Sequence, residues 1–102
     1  MATLYVAEFV AGGGTANFPL AAAQVAPSAE QTVAIGGSST QCTNAFKSTT
    51  YVIRIHTDAI CSIAWGTNPT ASATNMRLAA NQTEYFAVPL GANYKVAVIS
   101  NS

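Results

Sequence analysis

The chain has 102 residues, enough for one domain, and eight of them are charged, with four acids balancing four bases. Nucleic-acid binding and polybasic membrane anchoring both require clustered Lys and Arg, so we expect neither kind of partner. Half of the residues are hydrophobic, which excludes a disordered chain. A folded surface with so few charges is expected to be covered by a partner rather than to stay dispersed.

The N-terminal residues are predicted to form an extended segment. Residues 3–10 are rich in Leu, Tyr, Val and Phe and predict a strand, which the Gly-Gly-Gly run at 12–14 ends. Pro19 and Pro27 leave no room for more than one helical turn between them. An extended, edge-type segment is therefore expected near residues 22–26.

The rest of the chain is predicted to form a β-sandwich. Alternation at 50–56 and 60–65 predicts two strands joined by a polar turn, as in an antiparallel hairpin. The Ser-, Thr- and Asn-rich stretch at 38–48 predicts a loop. Further short strands are predicted at 31–35, 76–79, 83–88 and 94–100. About eight short strands without a helix predict an all-β antiparallel sandwich, jelly-roll-like, with 1–29 as an extended arm and 30–102 as the main sandwich.

The sequence holds one cluster of metal-ligand types, namely His56, Asp58 and Cys61. A zinc site needs three or four convergent ligands, and a His–carboxylate hydrogen bond at a turn explains the first two residues more simply. Cys61 begins a predicted core face and is expected to behave as a small apolar residue. Nucleophile-elbow, P-loop and dinucleotide-binding motifs do not occur. We therefore expect no metal, no cofactor and no enzymatic activity.

Three aromatic residues could stack on a sugar ring: Trp65, Tyr85 and Phe86. Trp65 shares a predicted strand face with Ile63, which favours a place in the core. Tyr85 and Phe86 point to opposite faces of their strand, so at least one of them is expected to face outward.

The N-terminus and the cysteines indicate the compartment of synthesis. The first residues lack a basic region and meet Glu8 early, so we expect no signal peptide and synthesis and folding in a cytoplasm. Cys42 and Cys61 are then expected to be reduced thiols, although the sequence leaves their pairing open.

Four segments of the chain resemble segments of small structural proteins of tailed bacteriophages. They are residues 56–71 (HTDAICSIAWGTNPTA), 76–80 (MRLAA), 84–89 (EYFAVP) and 95–99 (KVAVI). The resemblance covers residues 31–102. It implies a β-sandwich at the virion surface, similar to capsid decoration, or cement, proteins of jelly-roll type, that is synthesised in the cytoplasm of the bacterial host. It carries over no catalytic residue.

From this resemblance and the neutral composition we expect a protein that binds the major capsid protein on the outer capsid surface and stabilises the shell. Self-association as a dimer or trimer is also expected. A neck, tail or fibre-associated component and a carbohydrate-binding module for host recognition are the alternatives. The residues expected to contact a partner are Leu4, Tyr5, Phe9, Phe18, Pro19, Leu20 and Tyr85.

Overall fold

The computed structural model describes residues 2–10, 12–14, 19–23 and 27–102, the two short ranges through their backbone alone. Within these ranges the chain forms strands and no helix, which confirms the all-β prediction, and it offers no helix that could cross a membrane. The strands are β1 (Thr3–Phe9), β2 (Gly12–Gly14), β3 (Pro19–Ala23), β4 (Ala29–Ala34), β5 (Thr40–Gln41), β6 (Val52–Thr57), β7 (Cys61–Gly66), β8 (Met76–Leu78), β9 (Thr83–Ala87) and β10 (Lys95–Ser100).

Eight of these strands form an antiparallel sandwich. The front sheet has the order β4-β1-β6-β9 and the back sheet the order β5-β10-β7-β8, while β2 and β3 pair with each other. The described strands cross between the sheets at five of the seven connections, as in an interleaved sandwich rather than a meander. β1 lies between β4 and β6, so residues 3–9 are part of the sandwich itself and not of a separate arm.

The core lies between the inner faces of the two sheets. Alternate residues of each strand point inward, as expected for half-buried strands. The inward side chains include Leu4, Val6, Ile53, Ile55, Ile63, Leu78, Val96 and Val98, all of which are buried. Aromatic rings extend this core, because Trp65 lies 6.0 Å from Phe46 and 5.1 Å from Phe86 between ring centroids. The interpretation of Trp65 as a core residue is confirmed.

The hairpin predicted at 50–65 is wrong. β6 pairs with β1 and β9 in the front sheet, whereas β7 pairs with β10 and β8 in the back sheet. The connection between them crosses the sandwich, and the Thr57 hydroxyl fixes it by donating to the carbonyl of Ala59 at 2.6 Å. Both strands carry an apolar face, and placing them in facing sheets buries both faces against each other.

Three local predictions also differ from the structure. The stretch 38–48 contains the short strand β5, because Thr40 and Gln41 pair with β10. The glycines at 12–14 form β2 rather than the end of a strand, and they pair with β3. β3 begins and ends three residues before the extended segment predicted near 22–26, and the remaining strands begin and end within two residues of the predicted positions.

Candidate functional site

The outer face of the back sheet is covered by its own chain. Residues 67–75 are held over this face by hydrogen bonds to three polar side chains. The pairs are Gln41 Nε2 to Pro69 O (2.9 Å), Ala71 N to Ser39 Oγ (2.8 Å) and Asn101 Nδ2 to Ala73 O (3.1 Å). Pro69 and Ala71 are buried in this contact.

The middle residues of the strands beneath this connection are consequently buried on both faces of the back sheet. Ala97 is oriented away from the core, opposite to Val96 and Val98, yet it is 0% exposed. Ser62, on the neighbouring strand, is equally buried, and its hydroxyl accepts a hydrogen bond from Asn101 Nδ2 at 2.7 Å. The middle of this face is therefore covered, while Arg77 on the edge strand β8 remains exposed.

The outer face of the front sheet is open by comparison. Tyr5 and Tyr85 are 45% and 48% exposed, and Arg54 and His56 are partly exposed between them. The pairing places Tyr5 beside His56 and Arg54 beside Tyr85. We call this surface the open face. It confirms the expectation that one of the two adjacent aromatic residues of β9 points outward.

A groove of about 680 Å³ crosses the open face. Its floor is formed by Ala7, which lies between Glu30 on β4 and Arg54 on β6. Because neighbouring strands lie about 4.8 Å apart, the two charged residues are separated by roughly 10 Å at the backbone. The small side chain of Ala7 leaves the depression between them. The groove is lined by Tyr5, Val6, Ala7, Glu30, Gln31, Thr32, Arg54, His56 and Asp58.

The groove combines an aromatic face with charged and hydrogen-bonding groups. The Tyr5 and His56 rings lie 6.1 Å apart between centroids, at an interplanar angle of 45°. His56 Nδ1 shares a hydrogen bond with the Thr83 hydroxyl at 2.8 Å, which fixes the ring orientation. Such a surface is suited to a flat ligand with apolar and hydroxylated sides or to a protein loop.

The three metal-ligand types predicted as a cluster have separate partners. His56 bonds Thr83, Asp58 Oδ1 accepts from the backbone N–H of Thr3 at 2.7 Å, and the Cys61 thiol donates to the Thr57 hydroxyl at 3.5 Å. Among the described residues, no group of three or more His, Cys, Asp or Glu side chains lies close enough to hold a metal ion.

The predicted contact residues fall into three groups. Tyr5 and Tyr85 lie on the open face. Leu4 and Phe9 are 0% and 3% exposed, so their side chains do not form an outer contact surface. The prediction for both residues rested on the apolar composition of β1: Leu4 points into the core, whereas Phe9 lies on the same strand face as Tyr5 and is nevertheless buried.

The remaining predicted contact residues belong to the N-terminal segment. Pro19 and Leu20 lie in β3, which pairs with β2, and Phe18 lies outside the described residues. Sequence reasoning missed Ala7, Glu30 and Arg54 as residues of the groove. The alternation within β1 and β6 was a usable signal, because it places Ala7 and Arg54 on the face opposite to the Ile side chains.

Glu8 is a buried acid whose role is structural. Its carboxylate oxygen Oε1 accepts hydrogen bonds from the Thr50 hydroxyl at 2.6 Å and from the Lys47 backbone N–H at 2.9 Å. Its backbone carbonyl accepts from Ser28 N at 2.8 Å. The residue joins the end of β1 to the turn that precedes β6.

Both cysteines are free and buried, which confirms the expectation of reduced thiols. Burial raises the pKa of the Cys42 thiol and that of the Cys61 thiol. Cys42 accepts the Val96 backbone N–H at 3.4 Å, and Cys61 bonds Thr57, so each thiol has its own place in the interior.

No protein-family model, curated protein or solved structure matches the chain.

Proposed function

We propose that the chain is a non-enzymatic structural protein of a tailed-phage virion that decorates the outer surface of the capsid and stabilises the shell. The observation that carries this proposal is an open sheet face with two exposed tyrosines on a chain that has only eight charges. One of these charges, Glu8, is buried and hydrogen-bonded. A surface of this kind is suited to permanent contact with another protein.

The segments that resemble phage structural proteins support the same proposal. Residues 56–71 contain β7 and the first part of the chain that covers the back sheet, and residues 84–89 contain most of β9. Uncharged connections adjoin them, since residues 59–76 carry no charge. The partner is the major capsid protein, contacted by the open face and by neutral connections.

The protein stabilises the shell by mass action, because it binds the closed lattice and not the dissociated subunits. The contact consists mostly of apolar, backbone and neutral polar groups. Salt screens interactions between exposed charges, so a contact with few charges is expected to dissociate at nearly the same rate in low and in high salt. A strong dependence on salt would contradict this account of the interface.

The decisive experiment is quantitative mass spectrometry of purified phage particles. A decoration protein is expected at a copy number comparable to that of the major capsid protein. A neck or tail ring would contribute about six or twelve copies. A measured copy number of that size would therefore favour the neck or tail role over the decoration role. Absence of the chain from purified particles would refute both.

The groove favours a second candidate, a carbohydrate-binding module for host recognition. Tyr5 offers an aromatic face, and Glu30 and Arg54 can hydrogen-bond hydroxyl groups on either side of Ala7. A glycan array tests this with the variant Tyr5→Ala. Tyr51→Ala is the matched control, because Tyr51 is similarly exposed but does not line the groove. Binding that is lost only in Tyr5→Ala would favour the saccharide function, and an array without hits would exclude it.

A further inference from the structure

The edge of the front sheet at β9 has unused backbone hydrogen-bonding groups. Val88 N donates to Tyr51 O at 2.9 Å and Thr57 N donates to Gln82 O at 3.1 Å, so the even-numbered residues of this stretch bond to β6. In an antiparallel pair the residues between them point their N–H and C=O groups the other way. These residues are Thr83, Tyr85 and Ala87. Within the described part of the chain, nothing pairs with their outward backbone groups.

The other sheet edges are short or flanked by the chain itself. β5 has two residues and is bonded through Gln41 to the covering connection, and β8 has three residues and carries Arg77. β4 is flanked by the segment that follows β5, because Gln31 bonds Asn44 in both directions at 3.0 and 3.1 Å. Proteins normally protect an edge by such means. β9 has five residues and no such protection among the described residues. Its one charged residue, Glu84, accepts a hydrogen bond from the side chain of Gln82 in the same chain segment.

The sequence of β9 is compatible with a two-fold pairing to itself. An antiparallel pair centred on Tyr85 sets Tyr85 opposite its own copy and Thr83 opposite Ala87, so all three outward residues are used. A centre on Glu84 would oppose two carboxylates, which is unfavourable. A centre on Phe86 would set Thr83 opposite Pro89, which has no N–H to donate.

We propose that the partner at this edge is a second copy of the chain, and that two copies pair through β9 in an antiparallel register centred on Tyr85. The pairing joins the two front sheets into one continuous eight-stranded sheet and places the two Tyr85 side chains together on the open face. The net charge of zero removes long-range repulsion between copies. The inference concerns the isolated chain and does not depend on the proposed virion function.

The first test measures the oligomeric state of the full chain by sedimentation velocity across the micromolar range. The wild type is expected to be a dimer that dissociates on dilution. Ala87→Pro removes an outward N–H and should raise the dimer Kd at least about tenfold, because paired backbone groups are lost on both copies. Ala34→Pro is the matched control, since Ala34 is an exposed alanine whose N–H points outward on the opposite edge, and its Kd should stay within about twofold of wild type.

The second test fixes the register. In a hydrogen-bonded antiparallel pair the facing Cα atoms lie about 5.5 Å apart, which is within the span of a disulfide. Tyr85→Cys should therefore form a covalent dimer under mild oxidation. Tyr5→Cys is the control, because it is similarly exposed on the same face but belongs to a central strand. The native cysteines are buried and should not cross-link.

Several results would overturn the proposal. They are a wild-type chain that stays monomeric throughout the micromolar range, equal effects of the two proline variants in proteins that circular dichroism shows to be folded, and equal cross-linking of the two cysteine variants. A dimer that Tyr85→Cys does not trap would refute the register and, with it, the proposed pairing. Absence of the chain from virions would leave these outcomes unchanged.

Discussion

The two sheets of this sandwich share one core but have opposite outer faces. On the back sheet the outward residues Ser62 and Ala97 are fully buried, because a connection of the chain packs over them, although Arg77 on the edge strand stays exposed. On the front sheet the outward residues Tyr5 and Tyr85 are 45% and 48% exposed beside an open groove. The packed connection, and not the strands themselves, therefore distinguishes the face whose middle the chain covers from the face that is left for a partner.

Hydrogen bonds from polar side chains to the connection at 67–75 make this difference possible. Backbone groups in a buried connection must find hydrogen-bond partners, which is why connections usually stay on the surface. Here Ser39, Gln41 and Asn101 supply those partners and hold the connection down. The front sheet has no comparable set of contacts within the described residues, and its groove stays open.

A carboxylate introduced on each outer face should give the largest difference in the free energy of unfolding between the two sheets. Ala97→Asp buries a carboxylate under the connection without a partner and should lower the free energy of unfolding by at least about 3 kcal/mol. Ala7→Asp places the same group on the floor of the open groove and should cost less than about 1 kcal/mol. Denaturant unfolding of both variants measures the difference. Equal losses would mean that the two faces are covered to the same extent.

The two glutamates of neighbouring strands sharpen the comparison within the front sheet. Glu8→Ala leaves the Thr50 hydroxyl and the Lys47 N–H without their acceptor and should cost about 2–3 kcal/mol. Glu30→Ala removes an exposed side chain from the open face and should change the free energy of unfolding by less than about 0.5 kcal/mol. Glu8→Gln retains one acceptor oxygen and should fall between them. If Glu8→Ala were as mild as Glu30→Ala, the buried carboxylate would have no structural role.

Most strands were predictable because their apolar and polar residues alternate over short segments. The connections were not, because alternation gives the faces of a strand and not the sheet to which it belongs. β6 and β7 have the same pattern whether they lie side by side or in facing sheets. The two arrangements differ only in how the Ile-bearing faces of the two strands are buried, and a local pattern does not show this. β5 was missed because Thr40 and Gln41 are polar and pair along two residues alone.

The candidate site was predictable only in part. Tyr85 was expected to face outward from its alternation with Phe86, and it does. The groove depends on three strands that are distant in sequence and meet at Ala7, so no local pattern indicates it. Leu4 was assigned to the outer surface because β1 carries apolar residues on both faces, and composition alone does not show which face points into the core.

Removing one of the side chains that bond the connection over the back sheet should have a smaller effect on stability than the substitutions above. Asn101→Ala deletes the bonds to Ser62 and to the Ala73 carbonyl and should cost about 1 kcal/mol. Hydrogen exchange at the Ala71 N–H should become faster, since this amide is held in the same contact. Ser102→Ala, at the exposed neighbouring position, is the control and should leave both quantities unchanged. An unchanged exchange rate of the Ala71 N–H in Asn101→Ala would mean that the connection stays in place without the Asn101 side chain.

The smallest effect concerns the thiols, which both lie on the back-sheet side of the core. Burial raises the pKa of Cys42 and of Cys61 above the ordinary value of 9.0, so the unfolded chain loses these protons first as the pH rises. The unfolded state then binds fewer protons than the native state, and the free energy of unfolding should fall above pH 9 while staying level near neutrality. The double variant Cys42→Ala, Cys61→Ala should show a shallower decline than wild type when unfolding is measured across this range. Rapid reaction of either native thiol with a disulfide reagent at neutral pH would contradict their burial, because the thiolate is the reactive form and requires access.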